Sequence, residues 1–230
     1  MRLHRFFVKE NIGGNLEIKI SEERIVHQVR NVFRLGVGDK IIIFNGDGKD
    51  CECEIVEIGK KDLRLKILDS RMVHKSKKEV TLFMSLIKKE NFELVCEKAT
   101  ELGVAKIVPI VSERTTLKNL NHDRIEKILI EASEQCGRGD VPVLGEIMNL
   151  ELLIKNSNPE EILVADFGGV DFKSLKLEAK SQKLLIGPEG GWTDEERNIF
   201  KENNIKSFSL GETTLRAETA AIVATFLAVN

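Results

Sequence analysis

No stretch of this 230-residue chain approaches the roughly 18 to 20 consecutive apolar residues that a bilayer-spanning helix needs. Its start, Met1-Arg2-Leu3-His4-Arg5-Phe6-Phe7-Val8, lacks a long apolar segment with a small-residue cleavage site, so a cytoplasmic protein outside the membrane is expected. Four cysteines and four histidines are scattered. None forms a C-x-x-C pair or a cluster with zinc spacing, so no metal is expected, and the thiols are read as packed groups in a reducing compartment. This reading includes Cys136, near the end of a helical stretch. There is no G-x-G-x-x-G dinucleotide loop and no G-x-x-x-x-G-K-[ST] phosphate loop.

What is present is ordinary in bulk and uneven in distribution. Hydrophobic residues make up 42% and charged residues 31%, enough for one or two domains with their own cores. The net charge of −2 hides a split. Residues 1–78 carry 17 Lys and Arg against 12 Asp and Glu, whereas the remainder carries 18 against 25. A small basic module on an acidic one suits a nucleic-acid-binding appendage; a modest surplus that only keeps a surface soluble explains the same numbers.

The first 70 residues read as mostly β, with strands at 4–8, 16–20, 40–44, 50–58 and 63–68 and a helix over 22–33 capped by Ser21. Glycine turns between short strands suggest a small barrel. Residues 71–78, with Arg71, His74, Lys75, Lys77 and Lys78, read as a linker. From 79 to 230 the pattern alternates strand and helix, which predicts a mainly parallel α/β sheet. Gly103 is the expected C-terminal stop of a helix over 90–102, and Thr193-Asp194-Glu195-Glu196 is a capping box.

Two strand-turn-helix segments stand out, Leu184 to Thr193 and Leu210 to Ala220. In the first, Gly187-Pro188-Glu189-Gly190-Gly191 holds three glycines between a strand and a capped helix. On neighbouring parallel strands, two such turns would line a crevice at the strands' carboxyl ends. Glycine lets backbone amides and carbonyls face a planar ligand, although a tight strand-helix connection also uses glycine. Glu189 and the absence of a loop lysine disfavour phosphates and favour a phosphate-free nucleoside ligand, such as S-adenosylmethionine.

Leu185-Ile186-Gly187-Pro188-Glu189-Gly190-Gly191, followed by Leu210-Gly211 and Leu215-Arg216-x-Glu218-Thr219-Ala220, closely resembles the RsmE family. These are uridine-N3 methyltransferases of bacterial small-subunit (16S) ribosomal RNA, of the SPOUT class. Arg5-Phe6-Phe7-Val8, Gly36-x-Gly38-Asp39, Lys98 to Val104 and Glu134-Gln135-Cys136-Gly137-Arg138 extend the likeness along nearly the whole chain. The resemblance implies a PUA-like barrel at 1–70 and an α/β domain at 79–230 tied in a trefoil knot. It also implies a homodimer that uses S-adenosylmethionine, with the RNA or the assembled 30S subunit as substrate and the decoding region as target. Carried over by motif, Ile186, Gly187, Pro188, Glu189, Gly190 and Gly191 form one cofactor wall. Leu210, Gly211, Leu215, Arg216 and Ala220 form the other. Thr214 stands where relatives commonly carry a bulkier aliphatic residue.

Uridine N3 must lose a proton before it can accept a methyl group, which calls for an acceptor or for donors that stabilise the uracil anion. Arg216 and Glu218 are therefore the expected catalytic pair, Arg216 meeting the uracil oxygen or RNA and Glu218 orienting it. A salt bridge at a helix start explains the same spacing. Arg5, Arg30 and Arg34 are candidate phosphate contacts, and Arg138 an RNA or dimer contact. A non-catalytic RNA-binding or ribosome-assembly protein is the competing class, disfavoured by the glycine-rich turns.

Overall fold

The structure is a computed structural model that describes residues 3–14, 16–73, 78–175 and 181–230. It divides into two units, each with its own core. The first holds the chain up to residue 73 together with Ser133–Val141; the second holds 78–132 and Pro142–Asn230.

In the first unit, β1 (Arg5–Phe7), β2 (Glu17–Ile20), β3 (Lys40–Phe44), β4 (Lys49–Ile58) and β5 (Leu63–Met72) form one sheet in the order β1-β3-β4-β5-β2. Only β1 and β3 pair parallel. Among the described residues the hydrogen-bonded path has two ends, β1 and β2. The alternation anticipated for β2 is present, with Ile18 and Ile20 buried and Glu17 and Lys19 exposed. The helix expected over 22–33 is shorter and irregular. Regular α1 covers Glu23–His27, and Gln28–Val32 is a π-helical turn that ends at Arg34 in the left-handed region, φ +54°. Ile25, Val29, Ile41, Ile43, Ile55, Leu63 and Leu65 form the core. β5 runs through Met72, into the stretch expected to be linker, because Lys49–Glu52 of β4 pairs with its far end. Residues 74–77 of that expected linker, with His74, Lys75 and Lys77, lie outside the described residues.

The second unit contains β6 (Glu79–Ser85), α2 (Lys89–Leu102), β7 (Lys106–Val111), α3 (His122–Cys136), β8 (Val143–Leu144), β9 (Met148–Asn149), α4 (Leu150–Lys155), β10 (Ile162–Asp171), β11 (Ser181–Ile186), α5 (Asp194–Glu202), β12 (Lys206–Ser209) and α6 (Ala217–Val229). The last turn of α3 is counted with the first unit. All strand pairs here are parallel, in the order β12-β10-β11-β6-β7-β8, with β9 beside β7. Both faces of such a sheet are buried, so its strands read as nearly continuous apolar runs. Leu82 and Leu184 pair on one face, Phe83 and Leu185 on the other. The second face packs with Leu153, Trp192 and Phe200. Gly103, at φ +98°, ends α2 as expected.

One expectation about topology is corrected. The two glycine turns do not follow neighbouring strands: β10 lies between β11 and β12. From β6 the chain moves outward to β7, whereas from β11 it moves the other way, past β10 to β12. Neighbouring β6 and β11 thus flank the point where strand order reverses, where open α/β sheets bind ligands at the carboxyl ends.

Candidate active site

The carboxyl ends of β6, β10, β11 and β12 surround a cavity of about 610 Å³, within the usual size of small-ligand sites. Ile186, Gly187, Pro188, Glu189 and Gly191 line it after β11; Leu210, Gly211, Leu215, Arg216 and Ala220 line it after β12. Two contributions were not foreseen. Ala165, Asp166 and Phe167 enter from β10, and Asn91 joins Lys88 from the start of α2. β10 reaches the cavity through an interruption in its register with β12, where both Ala165 and Val170 face Phe208. The only hint of this in the sequence is the Gly168-Gly169 pair. A β-carbon on Gly169 would stand 2.4–2.5 Å from the Phe208 backbone, so glycine is required there.

Gly190 is the one expected wall residue that does not line the cavity. A β-carbon there would meet the Arg114 side chain at 3.2 Å, so protein packing behind the loop accounts for this glycine. Gly187 is similar, because its β-carbon would lie 3.0 Å from the Trp192 ring. Gly191, at φ +67°, and Gly211, at φ +132°, are required by the backbone itself. Three glycines in one turn are thus demanded by the fold, and their number alone does not argue for a ligand.

The walls are tied together from behind. Trp192 is 1% exposed and its Nε1 donates to the Ala165 carbonyl at 2.9 Å, linking the first glycine turn to β10. Arg197 clasps Asp166 through Nε at 2.8 Å and Nη2 at 3.1 Å, a bidentate pair at the cavity edge. The capping box is complete: Thr193 Oγ1 accepts from Glu196 N–H and Glu196 Oε2 from Thr193 N–H. Thr193 Oγ1 also donates to Glu113 at 2.9 Å. Thr193→Ala should therefore cost about 1–2 kcal/mol, measurable as faster amide exchange in the first turn of α5. Unchanged exchange would show that the cap carries little of the helix.

Arg216 and Glu218 are brought to the cavity but are not tightly paired. Arg216 Nη1 lies 4.0 Å from Glu218 Oε1, with side-chain exposures of 86% and 10%. Arg216 is the residue before α6 and makes no side-chain cap, so its guanidinium reaches into solvent. Glu218 sits in the first helical turn, where the backbone amides favour a carboxylate. Glu189 is exposed and accepts the Lys88 N–H at 3.3 Å. Thr214 is exposed and lines the cavity.

The basic residues expected to meet RNA divide. Arg5 is corrected: it is 8% exposed and pairs with buried Asp50. It also donates to the carbonyls of Ser133 at 2.9 Å and Arg138 at 3.0 Å, and lies 4.5 Å over the Phe44 ring. No part of this guanidinium is left for a phosphate. Arg138 forms a bidentate pair with Asp140 at 3.0 Å, its side chain only 10% exposed. Arg30 is exposed and donates to the carbonyls of Gly59 and Lys60, and Arg34 is exposed. Cys136, expected to be packed, is exposed, because it lies on the outer side of the last turn of α3. The other three cysteines are buried, and burial pushes the Cys53 thiol up to about 12 and raises Cys96 as well. Among the described residues there is no cluster able to hold a metal, and no helix long and apolar enough to cross a membrane.

A family model for an RNA methyltransferase domain matches residues 74–229, and one for the PUA domain of RNA methyltransferases matches 23–68. Ribosomal RNA small subunit methyltransferase E of Rickettsia conorii is 30% identical over 97% of this chain and 94% of its own. The chain belongs to this family of methyltransferases. The Aquifex aeolicus member is also 30% identical, over 99% of this chain and all of its own. Among solved structures, a Legionella pneumophila protein with bound S-adenosylmethionine superposes with a TM-score of 0.91 at 28% identity, covering 99% of this chain and 97% of that one. The Neisseria gonorrhoeae family member, also bound to S-adenosylmethionine, gives 0.90 at 27%, covering 97% and 95%.

Proposed function

We propose that this protein methylates N3 of a uridine in the decoding region of small-subunit ribosomal RNA, with S-adenosylmethionine as donor and as a homodimer. The observation that carries the reading is the cavity at the strand-order reversal, where both family motifs converge with Arg216 and Glu218 at one end. The residues present fit the donor. Gly191 and Gly211 bring bare backbone to the cavity, and buried Glu218 suits a cationic ligand. Family membership and the donor-bound structural relatives support the same assignment. The trefoil knot implied by the resemblance is part of this reading.

When bound, S-adenosylmethionine supplies an electrophilic methyl group and leaves as a neutral thioether. Segments 186–191 and 210–220 would hold it in this chain. Uracil N3 would give up its proton to solvent water at the open mouth of the cavity and take the methyl group in its place. Arg216, exposed and only loosely paired, is placed to donate to the uracil oxygen on which negative charge develops. Glu218 stands at the start of α6, 4.0 Å from the Arg216 guanidinium. Exposed Arg30 and Arg34 are assigned to the RNA backbone.

Incubation with labelled donor and unmodified small subunits, followed by nucleoside analysis, should yield 3-methyluridine. A different methylated nucleoside would overturn the position but keep the class. The donor should also raise the melting temperature, since it binds the native state selectively.

A further inference from the structure

The turn that follows β7 is built into the back of the first glycine wall. It closes on itself: Thr115 N–H donates to the Ser112 carbonyl at 3.1 Å, and Ser112 N–H donates to Thr115 Oγ1 at 3.0 Å. Ser112 and Thr115 are buried, whereas Arg114 between them is exposed. The closed turn sets Arg114 against the 190–192 backbone. Its Nη1 donates to the Gly190 carbonyl at 2.7 Å and reaches the Trp192 carbonyl at 3.4 Å. Its stem lies on Gly190, where a β-carbon would stand 3.2 Å from Cδ and 3.3 Å from Cβ of Arg114. The neighbouring Glu113 is held as well, its N–H by Glu196 and its carboxylate by Thr193.

We propose that Arg114 is a positioning residue for the donor-binding wall, acting through the Gly190 carbonyl. The proposal rests on the reading of the cavity as the S-adenosylmethionine site. Gly191 lines that cavity at φ +67°, and glycine has little preference of its own between left-handed and right-handed backbone. Its orientation must be set from outside. The peptide between Gly190 and Gly191 is pinned at both ends, its carbonyl by Arg114 and its N–H by the Pro188 carbonyl at 2.9 Å. The next such plane, between Trp192 and Thr193, has its N–H on Glu196 and its carbonyl within reach of the same guanidinium. Arg114 thus brackets Gly191 from outside the cavity, without lining it.

Arg114→Met keeps the stem and removes the donor; Arg114→Lys keeps a stem and one charged donor. Arg114→Met should weaken S-adenosylmethionine binding about tenfold by calorimetry, the scale of one lost charge-assisted hydrogen bond. The KM for the donor should rise in step, with kcat at saturating donor and KM for the RNA within about twofold of wild type. Arg114→Lys should recover most of the loss. Gly190→Ala should weaken binding in the wild-type background and cost less in Arg114→Ala, where Cδ is gone and only the Arg114 Cβ position, at 3.3 Å, still opposes the new methyl. Wild-type affinity in Arg114→Met, or a loss that lysine does not recover, would overturn the proposal. A wild-type protein that binds no donor would overturn the cofactor reading instead. In that event the positioning role is decided by amide exchange at Gly191 in ligand-free protein, which should quicken about tenfold in Arg114→Met if the peptide is pinned as described; unchanged exchange would sink it.

Discussion

Replacing Arg216 with alanine should lower turnover on small-subunit RNA by about 10²–10³-fold, the usual loss when one preorganised donor to a developing negative charge is removed. The fold should survive. The side chain is 86% exposed and makes no cap for α6, and the hydrogen bond that ties residue 216 to the helix is the one its carbonyl accepts from Ala220 N–H. Glu218 loses only a contact at 4.0 Å. Turnover measured alongside donor calorimetry separates chemistry from binding. Near-normal turnover in a folded, donor-binding variant would exclude Arg216 from the chemistry and leave the pair as a helix-start contact.

Asp50→Ala should destabilise the first unit by about 3–5 kcal/mol, because it strands a buried cation without its counter-charge. Arg5 and Asp50 have side-chain exposures of 5% and 4%. Arg71, at 3.8 Å from Asp50, is 67% exposed and cannot replace Arg5. Arg5→Met should cost a similar amount, since it strands Asp50 and withdraws donors from the Ser133 and Arg138 carbonyls. The double variant Arg5→Met with Asp50→Leu should recover much of the loss, as buried pairs replaced by apolar residues often do. With two units present a single unfolding transition is not assumed. Amide exchange across β3 and β4 is therefore the measurement, and a change below about 1 kcal/mol in Asp50→Ala would show the pair to be well hydrated.

The same arginine shows where the sequence stops being readable. Arg5 stands beside Phe6 and Phe7 in a short strand of a basic segment, and nothing local distinguishes a phosphate ligand from a buried cation. Asp50 is 45 residues away and the carbonyls of Ser133 and Arg138 are 128 and 133 away. Gly190 teaches a related lesson, because the residue that demands glycine there is Arg114, 76 positions earlier. By contrast, the Gly103 stop of α2 and the Thr193–Glu196 capping box were visible in advance. Each depends on a few consecutive residues and on backbone geometry that those residues fix themselves. The short β8, β9 and α4 escaped because elements of two to six residues carry too little periodicity to register.

For this protein, sequence alone determined the alternation of strands and helices, both glycine turns and the family motif within them, because these are local patterns. Tertiary structure decided that β10 separates the two turns and contributes Asp166 and Phe167 to the cavity. It also decided that Arg5 is internal and that the glycine wall is braced from outside by Arg114. These outcomes depend on strand order and on which distant groups share a buried space, and no spacing along the chain encodes either directly.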